Sequence, residues 1–438
     1  MKILQVNITG KSGSTGKIVN DLRTYLQSKG HDAKVAYSVD NIAAEGFFKI
    51  SHRWELALVR RLVLFGRSTY KGNPFAFRRL KKIIERERPD IVHLHCINCG
   101  CVNIYKTLEY LAAHKIKTVV THHAEFFYTG NCPYSFECNK FVDAQCEGCG
   151  NRFYATSNRI FANPHKNWLR MCQAVNSFRK EDLLFVSVSP WVHERALMSP
   201  IVNKYQDFVV LNGLNTNVFK CSTGDKEVIT KFPDVTKYVL HVSPFFDPLD
   251  PDDIKGGYYV VEAARRLPHF HFVVVASVST NCKDLPSNIH MWGRTENQEQ
   301  LSRLYSGAQL TLLASKRETF SMVTAESLCC GTPVVGFKAG GPESIAIDEY
   351  CDFVEYGNMQ TLCESITKCY GATYDKEVIS EIACNKYSRE KMSTDYLTVY
   401  NYLLNKKYYE FKTERLLHIL CWSNWHFFLA YIGHILSH

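Results

Sequence analysis

The stretch that decides the fold is residues 309–335, which read QLTLLASKRETFSMVTAESLCCGTPVV. A strand-like run, Gln309–Ala314, leads into a loop that carries Glu318. A helical segment with Glu326 follows and ends at a glycine, before the next strand-like run begins at Pro333. For either glutamate alone, a solvated surface position is the default. However, Glu326 lies in an otherwise uncharged segment, where a charge costs free energy unless it has a partner. Ionised carboxylates in such places accept hydrogen bonds well from hydroxyl groups, including those of sugars.

The rest of the chain repeats this alternation of short apolar runs with longer helix-like segments, which is typical of parallel α/β sheets. The series restarts near Tyr238, after the polar stretch Lys220–Lys231. We therefore predict two similar α/β domains, joined by a linker around Asn215–Pro233, with a ligand bound between them at the carboxyl ends of the strands. The predicted strands are Lys2–Ile8, Ala33–Tyr37, Asp90–His95, Lys117–Thr121, Leu184–Val188, Lys237–Val242, His271–Ala276, Ile289–Trp292, Gln309–Ala314 and Pro333–Phe337.

Composition narrows the class of protein. With 438 residues, 46% hydrophobic and 22% charged, the chain is expected to be globular with two or three domains, and a disordered or fibrous chain is excluded. The 52 Lys and Arg against 43 Asp and Glu give a net charge of +9. That excess fits a protein that handles phosphorylated metabolites, a phospholipid surface or nucleic acid. No stripe of alternating aromatic and basic residues supports nucleic acid, so we expect none as a partner.

The first strand is followed by the glycine-rich loop Gly10–Lys17, GKSGSTGK. A P-loop is excluded, because the spacing between the glycines is one residue too long and Ile18 stands where a magnesium-binding hydroxyl is needed. Two interpretations stay open: an anion site at a helix N-terminus, or a plain strand-to-helix turn.

Several of these motifs together resemble family 4 retaining glycosyltransferases of the GT-B fold. They are Glu318 and Glu326 with seven residues between them, GTPVV at 331–335, GGPE at 340–343, KILQVN at 2–7, GSTG at 13–16, Asn212-Gly213 and Lys255-Gly256. The segment His123–Cys149 is similar to a bacterial subgroup of colanic-acid and capsule polysaccharide glycosyltransferases. The resemblance covers about residues 1–405 and implies two Rossmann-like domains that face each other across a donor-binding cleft.

The resemblance also implies a division of the chain. It comprises an N-terminal acceptor-side domain (1–210, with a cysteine-rich loop at 129–150), a C-terminal nucleotide-sugar domain (211–384), a helix returning to the first domain (385–405) and an amphipathic tail (406–438).

In the family, the carboxylate at the Glu326 position binds the ribose hydroxyls of the donor, and the one at the Glu318 position contacts the donor sugar. The backbone of Phe320 and Ser321 lies near the phosphates, which Gly13 approaches from the facing domain. Lys255 neutralises the diphosphate as it leaves. The implied catalytic residues are His123, Glu318 and Lys255. For His123, the alternative is a histidine that merely caps a strand.

The chain departs from the family just before Lys255, where an arginine is usual and an acidic stretch at 243–254 stands instead. The resemblance then requires a second phosphate cation, for which Arg317 and Lys316 are the candidates. The same departure motivates an alternative function, a catalytically impaired nucleotide-sugar-binding scaffold. No obvious glycosyl nucleophile is present, and the retaining mechanism implied by the family needs none.

The chain has 17 cysteines and no pattern of an export signal, which favours reduced thiols or metal ligands over disulfides. Four of them form a cluster with a Cys-x2-Cys ending: Cys132, Cys138, Cys146 and Cys149. This set predicts a structural zinc ion, with two disulfides or reduced thiols as the alternative. No catalytic metal is expected.

Two segments are candidates for membrane contact. Trp54–Arg67 is basic and amphipathic, and the tail at 406–438 presents a broad apolar surface with Trp422 and Trp425. The alternative for the tail is a helix that packs back on the first domain. We therefore expect a cytoplasmic protein, peripheral on the inner face of the plasma membrane. It would transfer sugar from a UDP- or GDP-sugar to a glycan or lipid-diphosphate-linked acceptor, in the synthesis of cell-surface polysaccharide.

Overall fold

Thirteen strands form two separate parallel sheets in the computed structural model, which describes residues 1–64, 68–98, 100–150, 163–222, 226–278 and 284–405. The first sheet has the order β3-β2-β1-β4-β5-β6-β7 and the second β10-β9-β8-β11-β12-β13, and every pairing is parallel. The strands are β1 (Lys2–Asn7), β2 (Asp32–Tyr37), β3 (Phe47–Lys49), β4 (Ile91–Leu94), β5 (Lys117–His122), β6 (Leu183–Ser187), β7 (Gln206–Val209), β8 (Tyr238–Phe246), β9 (His271–Val278), β10 (Ile289–Met291), β11 (Leu310–Leu313), β12 (Val334–Phe337) and β13 (Cys351–Val354).

Helices connect the strands and cover both sheets, as parallel crossovers require. In chain order they are α1 (Gly13–Ser28), α2 (Arg53–Leu64), α3 (Pro74–Glu87), α4 (Ile104–Ala113), α5 (Phe126–Thr129), α6 (Pro164–Asn176), α7 (Pro190–Met198), α8 (Lys226–Lys231), α9 (Gly257–Arg266), α10 (Gln298–Gly307), α11 (Met322–Cys329), α12 (Gly341–Ile345), α13 (Met359–Gly371), α14 (Lys376–Tyr387) and α15 (Arg389–Leu404). Asn and Ser side chains cap several helix N-termini, such as Asn103 on α4 and Asn163 on α6.

The central strands are buried on both faces, which explains why they read as continuous apolar runs rather than alternating ones. All residues of β4, β6, β11 and β12 are buried. The prediction of a GT-B-like pair of α/β domains is therefore confirmed. All ten predicted strands are present with small differences at their ends, and β3, β7 and β13 were missed.

The last described helix, α15, leaves the second domain and packs on the first. Its residues Met392, Tyr396 and Tyr400 lie in one buried cluster with Ile18 and Leu22 of α1. The tail predicted at 406–438 lies outside the described residues, as does the end of the Trp54–Arg67 segment at 65–67. Across the parts of the chain that the structure describes, none of the helices has the length and apolar character needed to span a bilayer.

Candidate active site in the interdomain cleft

Glu318 lies in the loop after β11, at the carboxyl end of the second sheet. Its backbone is bound to the Gly340 segment on both sides: Glu318 N donates to Ala339 O at 3.0 Å, and Gly341 N donates to Glu318 O at 2.9 Å. The side chain is held as firmly, because Lys255 Nζ lies 2.6 Å from Glu318 Oε1. Burial alone would lower the pKa of Lys255, but the Glu318 carboxylate outweighs it and raises that pKa, so the ammonium stays charged.

The Lys-Gly pair explains how Lys255 reaches this position. Gly256 has φ +72°, and a Cβ there would lie 2.1 Å from the backbone oxygen of Ala314 at the end of β11. Only glycine allows this approach without a shift of the backbone. The close approach brings the start of α9, and with it Lys255, next to the Glu318 loop.

Glu326 lies one turn into α11. Its Oε2 accepts a hydrogen bond from the Tyr305 hydroxyl at 3.1 Å. Burial raises the pKa of Glu326 to about 7, against the opposing effects of Tyr305 and of Lys17 on α1. Lys17 belongs to the first domain and is exposed, so its positive charge reaches Glu326 from the opposite side of the cleft.

Ser321 begins α11 in a backbone conformation that L residues rarely adopt, with φ +76° and ψ +89°. Its hydroxyl oxygen accepts a hydrogen bond from Thr324 N at 3.2 Å and so caps the helix. Phe320, just before it, is 2% exposed and its ring lies edge-on to Tyr387 in the core. Phe320 can therefore offer a ligand only its backbone, as the family resemblance implies.

On the opposite side of the cleft, the glycine-rich loop forms an ordered turn before α1. Asp40 accepts hydrogen bonds from the backbone N–H groups of Gly10, Lys11 and Ser12 at 2.8–3.0 Å, and also from the Ser12 hydroxyl. Ser12 makes no side-chain cap on α1. Gly13, with φ +68°, is exposed and its Cβ position is open, so a ligand can approach the backbone there.

His123 follows β5 and is linked to a buried chain of polar side chains that the sequence did not reveal. His123 Nε2 lies 3.0 Å from His95 Nδ1, and His95 Nε2 lies 3.1 Å from Gln5 Oε1. Gln5 Nε2 donates to Val19 O, so Gln5 Oε1 accepts from His95. Because His95 donates through Nε2, the Nδ1 of neutral His95 is an acceptor, and His123 must donate to it through Nε2. The Nδ1 of neutral His123 then carries a lone pair. Burial, with His122 nearby, lowers the pKa of His123 to about 3 and keeps the ring neutral.

Contacts between described residues of the two domains lie beside this site. Thr319 Oγ1 donates to His123 O at 2.9 Å, and Ser189 Oγ donates to Thr319 O at 2.7 Å. Arg317 Nη2 lies 2.7 Å from Glu137 Oε1, and its guanidinium lies 4.9 Å from the centre of the Trp191 ring. The residue after Glu318 thus contacts the backbone of His123 directly, so the two halves of the candidate site meet.

Comparison with known proteins decides the family. Residues 15–195 match the family model described as Glycosyltransferase Family 4, and residues 277–381 match Glycosyl transferases group 1. One match lies in each of the two α/β domains, and together they support a glycosyltransferase of the GT-B fold. Solved structures agree in fold: a glycosyltransferase from Rickettsia africae has a TM-score of 0.63 at 17% identity, covering 92% of this chain and 98% of that one. Anabaena HepE in complex with UDP gives 0.60 at 16% identity, over 91% and 99%.

Curated relatives match this chain over shorter stretches. A D-inositol 3-phosphate glycosyltransferase of Mycolicibacterium gilvum is 29% identical over 100 residues, which is 20% of this chain and 23% of the relative. A probable sucrose-phosphate synthase of Thermosipho melanesiensis is 24% identical over 208 residues, 44% of this chain and 46% of the relative. The chain thus spans between about a quarter and a half of the length of these relatives. These matches support the predicted group of GT4 and GT-B glycosyltransferases, whereas the retaining mechanism and the colanic-acid and capsule subgroup stay predictions.

The two cations proposed to replace the family's arginine are both engaged in ion pairs within this chain. Arg317 binds Glu137, as described above, and its side chain is 8% exposed. Lys316 Nζ lies 3.2 Å from Asp252 Oδ1, in the acidic stretch that precedes Lys255. The structure therefore brings together Lys255, Glu318 and the His123 segment, while the Arg317 and Lys316 side chains are engaged in other ion pairs. The phosphate-binding roles of both residues stay predictions.

The four clustered cysteines line one small cavity of about 10 Å³ behind the His123 segment. Cys132 and Cys146 are buried, Cys138 and Cys149 half-buried, and all four are thiols. As the side chains stand, no three His, Cys, Asp or Glu residues in the described parts of the chain form a ready-made metal-ligand set. The zinc prediction is taken up below.

Proposed function

We propose that this protein transfers a sugar, with retention of configuration, from a UDP- or GDP-sugar to a glycan or lipid-diphosphate-linked acceptor. One observation carries the proposal: the Lys255–Glu318 ion pair at the carboxyl end of β11 stands one residue from the Thr319–His123 contact between the domains. Two α/β domains with a fixed cation and carboxylates at their shared cleft suit a ligand that has both a diphosphate and sugar hydroxyls. Anabaena HepE, a structure of the same fold, is complexed with UDP-glucose.

The charges in the cleft fit the chemistry of diphosphate departure. As the bond between the anomeric carbon and the diphosphate oxygen breaks, negative charge develops on the leaving group. Lys255, held beside Glu318, is the cation that would stabilise this charge. The acceptor hydroxyl forms the new bond to the anomeric carbon, and its proton passes to the departing phosphate oxygen. Glu318, bound to Lys255, acts as a hydrogen-bond acceptor for the sugar rather than as a nucleophile. This agrees with front-face attack, in which the acceptor hydroxyl approaches the anomeric carbon from the side that the diphosphate leaves.

Lys17 is a further cation for the donor site. It lies on α1, in the first turn after Gly13, and its charge acts on Glu326 across the cleft. This lysine belongs to the loop whose P-loop interpretation fails on spacing, so its role was not expected from the sequence. We infer that Lys17 supplements Lys255 at the diphosphate, in place of the family's arginine.

The proposal extends to the acceptor and to the cellular setting. The similarity of His123–Cys149 to capsule and colanic-acid glycosyltransferases favours cell-surface polysaccharide as the product. On α2, Trp54, Leu58 and Leu64 are 60%, 43% and 71% exposed among basic residues. Such a surface suits contact with anionic lipid, so we propose a peripheral position on the inner face of the plasma membrane and no nucleic-acid partner.

A thermal-shift panel of nucleoside diphosphates and nucleotide sugars tests the proposal, combined with an assay of nucleotide release. A ligand at 100 times its Kd adds about 2.7 kcal/mol to the free energy of unfolding. With the cognate donor, Lys255→Ala should lower turnover by about 10²–10³-fold, because it removes the cation that stabilises the leaving group. Lys338→Ala, which breaks an exposed pair with Glu355, is the matched control.

Two results would contradict the proposal. No stabilisation by any uridine, guanosine or adenosine sugar would exclude a nucleotide-sugar site. Stabilisation by a donor, without nucleotide release in the presence of glycan or lipid-linked acceptors, would favour the alternative of a catalytically impaired binding scaffold.

A further inference from the structure

The loop between α5 and α6 brings four cysteines from within eighteen residues of sequence, Cys132 to Cys149, around one point. Its described part, residues 130–150, contains neither helix nor strand, so it has little regular structure of its own to hold it. Even so, Cys132 and Cys146 are only 6% and 7% exposed. All four cysteines, including Cys138 and Cys149, line the same cavity.

The size of that cavity limits its occupant. At about 10 Å³ it has room for roughly one water-sized particle. Its lining includes the four cysteines together with the polar residues Thr129, Asn131, Ser135 and Lys140. A single metal ion bound by thiolates suits both the volume and the lining.

The charges around the cavity also suit a metal. Four thiolates around a divalent ion leave a net charge of −2, which needs cations close by. Lys140 lines the cavity and donates to Gly148 O at 2.6 Å. Arg195 of α7 donates to Cys138 O at 3.3 Å. Both cations are therefore bound to the loop that carries the cysteines.

We propose that Cys132, Cys138, Cys146 and Cys149 bind one structural zinc ion in a tetrahedral site. Zinc favours four thiolates in this geometry and keeps no open position when all four are present. The thiol side chains as placed do not yet form a ligand set. Metal binding deprotonates the thiols and draws the sulfur atoms together by rotation about the Cα–Cβ bonds.

The site would act on the glycosyltransferase through the residues that its loop carries. Ser135 N donates to Oε1 of Glu125, which lies two residues after His123 in sequence, at 3.1 Å. Arg195 Nη2 donates to Ser135 Oγ at 2.7 Å. Glu137, one residue before Cys138, forms the ion pair with Arg317 of the other domain. The zinc ion would therefore order the segment that joins the His123 side of the cleft to the donor domain.

Metal analysis of the full chain, purified without a metal-affinity column or chelator, tests the proposal without reference to activity. We expect about one zinc ion per chain, released on treatment with a thiol-mercurial reagent. Replacement by cobalt should produce the visible absorption bands of a tetrahedral cobalt–thiolate complex. Cys138→Ser and Cys149→Ser should each lower the zinc content. Cys172→Ser, on α6 outside the cluster, should leave it at one.

The same sample separates zinc from the alternatives. A mass lower by four hydrogen atoms would show two disulfides and overturn the proposal. So would four thiols that react freely with a thiol reagent in a chain without zinc, or another metal at stoichiometric content. If the cysteine variants fail to fold, zinc content and mercurial release on the unmodified chain still decide the matter.

Discussion

At the scale of single residues, Glu326 links pH, stability and ligand binding. Because burial raises its pKa to about 7, the folded chain holds this proton more tightly than the unfolded chain, where the carboxyl titrates near its ordinary value. Between about pH 4.5 and pH 7 the unfolded chain has lost this proton while the folded chain still holds it. The free energy of unfolding therefore falls as the pH rises through this range. A nucleotide bound as proposed would reverse the preference, since its ribose hydroxyls would donate hydrogen bonds to the ionised carboxylate.

Glu326→Gln is expected to separate these two effects. Above pH 7, the ligand-free variant should melt at a higher temperature than the original chain, while its affinity for the cognate nucleoside diphosphate should fall by about 10–100-fold, the worth of hydrogen bonds to a charged group. In the original chain affinity should rise with pH through about 7, and in the variant it should not. Calorimetric titration and thermal melts at several pH values measure both.

Glu364→Gln is the control for this experiment, because Glu364 is exposed on α13 and accepts a hydrogen bond from its neighbour Gln360. A Glu326→Gln chain that binds nucleotide with unchanged affinity and pH dependence would contradict the placement of Glu326 at the ribose.

At the scale of elements, α11 depends on a serine in an unusual backbone conformation. Ser321 caps the helix with its hydroxyl, yet its φ of +76° is one that glycine adopts more readily. Loss of a serine cap costs about 1 kcal/mol when alanine replaces it, and only a few tenths when glycine does. We expect Ser321→Ala to lower the free energy of unfolding by clearly more than Ser321→Gly, as measured by urea denaturation.

Asn297→Ala gives the matched comparison, because Asn297 caps α10 through Gln300 N at 2.8 Å and belongs to no part of the candidate site. It should destabilise the chain about as much as Ser321→Ala but leave nucleotide affinity unchanged. Equal destabilisation by the alanine and glycine variants at position 321 would show that the backbone conformation there costs nothing.

The elements also show what the sequence could and could not predict. Continuous apolar runs predict strands that are buried on both faces, such as β6 and β12, because burial of both faces is what makes the run continuous. They fail for β3 and β7, which lie at the two edges of the first sheet and are only partly buried. Local periodicity carries little information about such short edge strands.

The candidate site divides in the same way. Glu318, Glu326 and Lys255 could be picked out because each lies in a short local motif that resembles one of the family, and their roles stay predictions. The bond between His95 and His123 could not, because it joins the ends of neighbouring strands 28 residues apart. Arg317 was expected at the phosphates, but its partner Glu137 is 180 residues away in sequence. No local pattern reports such a pairing.

At the scale of the whole molecule, the two domains are joined in two different ways. Helix α15 holds the second domain to the first through an apolar interface in which Tyr396 and Tyr400 are fully buried. Beside the cleft, by contrast, the contacts are polar and include the ion pair of Arg317 with Glu137, whose side chain is 98% exposed. Apolar burial keeps the domains attached, whereas polar contacts of this kind are readily exchanged with water.

We therefore expect Glu137→Ala to change the population of the closed cleft and not the stability of the fold. An exposed ion pair is worth up to about 1 kcal/mol, so donor affinity should fall by at most about fivefold and the melting temperature should change little. The radius of gyration of the ligand-free variant, measured by small-angle X-ray scattering, should exceed that of the original chain and return to it when donor is bound. High salt should have a similar effect on the original chain.

Lys391→Ala, which breaks an exposed pair within α15, should leave the radius unchanged. Equal radii for Glu137→Ala and the original chain, at low and at high salt, would mean that Thr319, Ser189 and Trp191 suffice to hold the cleft closed.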